Sequence, residues 1–169
     1  LDGSQNIDVG LNVGAIYGVY LTNDINTIKS GRDLIASGYT IFSTSLINLW
    51  ADTTVNLYRF NFTKNHWQII KKDHSIPEEG KIYSINEGIS EYFFEDLKIL
   101  LQKLKGRSIR WMACMVTDVH RNLMEGGCFI YPKNKKHENG RLRLVYELYP
   151  MAFIWELAGG KAYSDLKKH

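Results

Sequence analysis

The chain opens Leu1-Asp2-Gly3-Ser4-Gln5-Asn6-Ile7-Asp8, and a carboxylate set directly before a glycine and a small hydroxyl residue governs how the rest is read. A chain that begins on Leu, without an initiator Met, is expected to be part of a longer one. If a helix starts at Gly3-Ser4, the free amides of its first turn form an anion site, and Asp2 can hold a divalent cation beside that anion. This pairing suits metal-assisted phosphate chemistry. The same tripeptide is also ordinary turn composition, so the remainder of the chain has to decide its meaning.

Outward from this opening, Leu11 to Tyr20 is rich in β-branched and aromatic residues and reads as a central strand. Thr22-Asn23-Asp24 turns the chain. The pattern then predicts a helix over Asp33–Ser43, a strand over Leu46–Trp50, and a strand over Val55–Phe62 with Tyr58, Phe60 and Phe62 on one face. Thr63 to His66 is the turn into a returning strand, Trp67–Ile70, so this half reads as antiparallel sheet. Lys71 to Gly80 is charged and holds Pro77 and Gly80, which places a boundary there and divides the chain into residues 1–74 and 75–169.

Beyond the boundary the period becomes helical. Phe94, Leu97, Leu101 and Leu104 recur at three- and four-residue steps within 91–105, with acids early and lysines late, as a helix dipole prefers. Arg110–Val116 and Gly127–Tyr131 read as strands flanking a short helix, Asp118–Glu125. A last helix spans Leu142–Ala158 with Leu144, Leu148, Met151, Trp155 and Ala158 in one stripe. Pro150 should kink it, and Gly159-Gly160 should stop it.

Composition narrows the class. In 169 residues, 44% hydrophobic and 12% aromatic content suffices for a packed core and excludes a disordered chain. The 21 basic and 18 acidic residues are interspersed, so a net charge of +3 favours an anionic small ligand as much as nucleic acid. Basic residues gather around one loop only and no aromatic stacking face is evident, which ranks nucleic acid last. Two cysteines, Cys114 and Cys128, are too few for a disulfide framework and point to a reducing, cytoplasmic compartment. Residues 34–51 are uncharged, but Ser37, Thr40, Ser43 and Asn48 interrupt them, so buried helix and strand are expected and no membrane span. No charged-then-apolar leader pattern is read in these residues, so they lend secretion no support.

Lys133, Lys135, Lys136, Arg141 and Arg143, with Tyr131 before and Glu147 after, gather cations and a phenol where a phosphate can sit, or else form a solvated loop. Glu147, one helical turn past Arg143, is placed to reach a metal. His120 has the chemistry of a general base and the position of a structural residue. Cys114 reads as core, and Arg110 as a phosphate ligand or a surface ion-pair partner.

Taken in order, Leu1 to Asp8, Val13 to Tyr20, Gly31-Arg32-Asp33-Leu34, Gly80 to Gly88, Met115 to Arg121, Tyr131 to Lys136, and Leu142-Arg143-Leu144-Val145-Tyr146-Glu147 through Gly160 resemble the class 1 fructose-1,6-bisphosphatases over about residues 1–165. The resemblance implies a layered α/β/α/β/α sandwich, with residues 1–74 the second half of the antiparallel-sheet domain and 75–169 the C-terminal α/β domain. It implies a cytoplasmic enzyme of gluconeogenesis, active as a homotetramer or at least a dimer. That enzyme removes the 1-phosphate of fructose 1,6-bisphosphate with two or three magnesium ions, for which manganese or zinc can stand. On this resemblance Leu1, Asp2 and Glu147 match metal ligands, and Gly3 and Ser4 match the turn that holds the departing phosphate. Met115 matches a residue whose backbone meets the sugar. Asn86, Arg110, Tyr131 and Arg141 match residues around the 6-phosphate, Arg110 reaching into a neighbouring subunit.

The chain departs from the family at Ile89 and Trp111, where tyrosines are common, and at Arg141, where a lysine is. Leu21 replaces an arginine of AMP-regulated members, which speaks against AMP inhibition. The family's carboxylates before Leu1 are not in this sequence, so catalysis by these residues alone is not expected. A non-catalytic sugar-phosphate-binding paralogue and a sedoheptulose-1,7-bisphosphatase are the alternatives.

Overall fold

The computed structural model describes residues 1–164; Asp165 to His169, the end of the predicted C-terminal unit, lie outside the described residues. Five strands pair antiparallel in chain order: β1 (Val13–Tyr20), β2 (Leu34–Phe42), β3 (Ile47–Ala51), β4 (Val55–Asn61) and β5 (His66–Lys71). A second sheet, parallel and ordered β7-β6-β8, is made by β6 (Ile82–Ser84), β7 (Ser108–Ile109) and β8 (Gly127–Phe129). Among the described residues three α-helices accompany the sheets: α1 (Glu95–Lys103), α2 (Met115–Glu125) and α3 (Tyr149–Leu157). The architecture is mixed α and β, as the sequence implied.

Layering follows from which faces the strands bury. Tyr39, Leu49 and Leu57 of the large sheet share a core with Val116, Val119 and Leu123 of α2 and Met151 and Ile154 of α3. Each such enclosed aliphatic side chain contributes about 1.5–3 kcal/mol. In β6, successive side chains face opposite ways. Ser84 receives a hydrogen bond from Asn122 of α2, while Tyr83 packs in a separate cluster with Phe93 and with Leu97 of α1. The described layers therefore run large sheet, α2 with α3, small sheet, α1.

Four local expectations need correction. The predicted helix over Asp33–Ser43 is strand β2, hydrogen-bonded between β1 and β3. Its helix-start signal is real, since Ser30 and Asp33 form a capping box, but the turn it starts ends at Asp33. Strand β2 is buried on both faces from Ala36 to Tyr39, so it shows no clean alternation, and such an uncharged run cannot be told from a helix by period alone. Among the described residues β1, expected as a central strand, lies at one side of the sheet, where Asp2 bridges Gly14 on its outer side.

The predicted strand Arg110–Val116 is also absent. Strand β7 ends at Ile109, Ala113 adopts φ 56°, and α2 begins at Met115 instead of Asp118. Near the C-terminus, a π turn over Leu144–Leu148 precedes α3, with Pro150 in the first turn of α3. The wider turn shifts the helical phase, so the buried stripe is Pro150, Met151, Ile154 and Ala158, while Leu144 and Leu148 are exposed. Gly159, at φ 88°, ends α3 as predicted.

Candidate functional site

Asp2 is fastened to β1 by reciprocal backbone bonds with Gly14, 2.7 and 2.9 Å. Gly3 comes next with φ 73°, packed so closely on Cys114 that a Cβ there would lie 2.8 Å from the Cys114 Cβ. Only glycine meets both demands. The segment starting at Ser4 is one 3-10 turn, Ser4–Asn6, and not a longer helix. Buried Asn6 then ties the opening to the Met112 carbonyl.

This arrangement aims the Asp2 carboxylate at the start of α2. Its Oδ2 accepts the Val116 amide at 2.7 Å and the Cys114 thiol at 3.1 Å. A carboxylate there satisfies an otherwise orphaned amide and suits the positive end of the helix dipole. Met115, the first residue of α2, is buried beside it. Burial, with the neighbouring Asp2 carboxylate, pushes the Cys114 thiol up to about 11. At pH 8 Cys114 should therefore react with iodoacetamide about a hundredfold more slowly than a free thiol, and labelling with peptide mapping should show it modified only after denaturation.

Asp118, in the same first turn, accepts the Met112 amide with Oδ1; its Oδ2 finds no partner among the described residues, and burial raises its pKa to about 6. His120 shares a 2.8 Å hydrogen bond with the buried Tyr39 hydroxyl, and burial lowers its pKa to about 4. It is half-buried and tied to the core through Tyr39. Because its folded pKa lies below the ordinary 6.5, the unfolded chain binds more protons between about pH 4 and 6.5. The His120 contribution is present above pH 6.5 and is lost as pH falls through 4, at most about 3 kcal/mol. Asp118 has the opposite sign in nearly the same window, adding stability as pH falls from about 6 towards 4. His120→Gln should thus become less damaging by up to about 3 kcal/mol between pH 7 and pH 4, measured by urea denaturation.

Glu147 sits in the π turn, and both its oxygens are taken by Arg143: the backbone amide at 2.7 Å, Nε at 3.2 Å and Nη2 at 2.5 Å. Those bonds raise the Arg143 pKa, and the charge of Asp2 adds to the effect. Arg143 thus pairs with one of the two carboxylates expected to hold a metal. Among the described residues no three His, Cys, Asp or Glu side chains form a group able to hold an ion. Magnesium takes about six oxygens, and this chain offers Asp2, whose Oδ1 has no partner among the described residues, Glu147 once released from Arg143, and carbonyls such as that of exposed Leu1. The free Asp2 oxygen is open to an ion, whereas Glu147 is held by Arg143.

A second locus is a cavity of about 140 Å³ between the segment before α1 and the loop after β8. It brings together Asn86, Tyr131 and Arg141, three of the four residues expected around a distal phosphate. Arg110 is not among its lining. It lies exposed at the end of β7, its Nη1 donating to the Ile109 carbonyl at 3.0 Å. Tyr92, Asn134, Lys136 and His137 also line the cavity, and of these His137 and Tyr92 escaped the sequence reading. Beside it Trp111, Phe129 and Tyr131 lie nearly parallel, Trp111 and Tyr131 with centroids 6.2 Å apart, an aromatic grouping the sequence did not betray.

Residues 76–168 match the model of the fructose-1,6-bisphosphatase C-terminal domain, more than half of the chain. The chain belongs to the fructose-1,6-bisphosphatase family. It is 36% identical over 182 residues to the cytosolic fructose-1,6-bisphosphatase of Spinacia oleracea, covering 99% of this chain and 53% of that protein. To the class 1 fructose-1,6-bisphosphatase of Chlorobaculum parvum it is 41% identical over 179 residues, covering 96% and 54%. The crystal structure of apo Leishmania major fructose-1,6-bisphosphatase superposes with a TM-score of 0.86 at 34% identity, over 94% of this chain and 57% of that one. The chain thus spans about half the length of the fructose-1,6-bisphosphatases it matches, in both sequence and fold. Among the described residues no helix is long and apolar enough to cross a membrane.

Proposed function

We propose that the protein carrying this chain is a cytoplasmic, magnesium-dependent phosphatase that converts fructose 1,6-bisphosphate to fructose 6-phosphate and phosphate. In this reading residues 1–74 and 75–169 belong to its two domains. The observation that carries the reading is the cavity holding Asn86, Tyr131 and Arg141, whose lining includes Lys136 and His137 but no carboxylate. A cation-lined pocket of this size holds a phosphate group and orients whatever is attached to it.

The chain's own groups divide the work. The cavity holds the 6-phosphate, and Arg110, which does not serve its own cavity, is free to complete that of a neighbouring subunit; this makes the active form at least a dimer, and a tetramer in line with the family. The Met115 backbone meets the sugar at the start of α2. Amides at Gly3 and Ser4 head a tight turn and hold the phosphate that leaves. Asp2 and Glu147, with the Leu1 carbonyl, hold divalent ions together with ligands from outside this chain. Such ions, when bound, polarise the phosphoryl oxygens and make a bound water more acidic. Leu21 is exposed and uncharged, so AMP inhibition is not part of the proposal.

The test is release of inorganic phosphate from fructose 1,6-bisphosphate with and without magnesium. Turnover that requires the ion supports the reading; binding without turnover favours a non-catalytic sugar-phosphate-binding paralogue, for which the Arg143 grip on Glu147 speaks. Faster turnover of sedoheptulose 1,7-bisphosphate would reassign the substrate, since Ile89 leaves one wall of the cavity apolar.

A further inference from the structure

We propose that His137, presented by a turn built on Asn134, determines specificity for the distal phosphate of the substrate; this rests on the phosphatase reading above. The wall of the cavity formed by Ile85, Ile89 and Ile130 is apolar. Ile89 brings no hydroxyl to it, and Trp111 is stacked on Phe129 and Tyr131 instead of lining it. The positions at which the family commonly offers two tyrosine hydroxyls therefore offer none here. A phosphate dianion still needs directed donors on its oxygens, because charge alone holds it without fixing its orientation.

The loop after β8 supplies them. Asn134 is 5% exposed, and its Oδ1 accepts the amides of both Lys136 and His137 at 3.0 Å. Reciprocal backbone bonds between Asn134 and His137, 3.1 and 2.9 Å, close the turn, and the Lys135 amide fastens it to the Tyr92 carbonyl at 2.9 Å. A turn tied at this many points loses little further freedom when a ligand arrives. His137 lines the cavity and its ring has no hydrogen-bond partner among the described residues, whereas Lys136 is drawn towards the Tyr92 ring, 5.6 Å from its centroid. Arg141 brings charge from the far end of the same loop. With Asn86 and Tyr131 in the same cavity, which no carboxylate lines, the imidazole N–H on this fixed turn adds a donor where Ile89 and Trp111 bring no hydroxyl.

Steady-state kinetics of the protein carrying this chain test the assignment, together with inorganic phosphate titrated into histidine-labelled protein and followed by NMR. His137→Ala should raise KM for fructose 1,6-bisphosphate about 10- to 100-fold with kcat within about twofold, the loss of one charge-assisted hydrogen bond. His137→Gln, which keeps an N–H donor, should recover most of the loss. Phosphate should shift the His137 ring signals in the parent and weaken its own binding about tenfold in His137→Ala. An unchanged KM in His137→Ala, or His137 signals indifferent to phosphate, overturns the proposal. Ring signals that move with phosphate in a protein that turns over no bisphosphate uphold the His137 anion contact and dismiss the phosphatase reading instead.

Discussion

Gly38→Ala is expected to lower the melting temperature of the chain by about 10 °C, the loss of about 3 kcal/mol from overpacking. Gly38 lies mid-way along β2, paired with Tyr17 of β1 and Trp50 of β3. A Cβ built there would come within 2.4 Å of both the Leu49 carbonyl oxygen and the Tyr17 ring. The carbonyl belongs to the neighbouring strand and cannot withdraw without breaking the ladder, while the Tyr17 hydroxyl is engaged by Asn48 and the Leu49 carbonyl. The sign is the informative part. Were residues 33–43 the helix that the sequence suggests, the same substitution would stabilise by about 1 kcal/mol, because alanine loses less backbone freedom than glycine in a helix. Thermal unfolding followed by circular dichroism separates the two, and an unchanged or higher midpoint would reject the strand register.

The contrast shows which parts of the fold a sequence can disclose. Strands β3 and β4 alternate buried and half-buried residues, and α1 keeps Leu97 inward at helical spacing, so period alone locates them. Strand β2 is enclosed on both faces from Ala36 to Tyr39 and carries no clean period to read. Helix α2 starts three residues earlier than its sequence suggests because its start is fixed by a carboxylate 114 positions away, and no local pattern records a cap delivered across the fold. The same holds at the site. Asn86, Tyr131 and Arg141 are identified by resemblance, and the cavity brings them together. His137 escapes a sequence reading because its importance lies in a turn geometry; Asn134 three residues before it is the signal from which an Asx turn can be read.

Asp2 carries two tasks that substitution can separate. Asp2→Asn should leave the melting temperature within about 3 °C of the parent, yet cut magnesium-dependent phosphate release at least about a hundredfold. The small structural effect follows from the geometry. Oδ2 accepts the Val116 amide at 2.7 Å, and an asparagine side-chain oxygen caps a helix about as well as a carboxylate, forfeiting only the charge on the dipole, about 0.3–1 kcal/mol. The large functional effect follows from ligand chemistry, since a neutral amide oxygen is a poor substitute for a carboxylate around a hard divalent ion. Asp2→Ala removes cap and ligand together and should cost about 1–2 kcal/mol as well as activity. If Asp2→Asn unfolds the protein, the carboxylate charge is structural first; if it folds and keeps full turnover, Asp2 holds no catalytic ion. Between those outcomes lies the arrangement proposed above, in which the carboxylate that starts α2 through Oδ2 also offers Oδ1 to a cation.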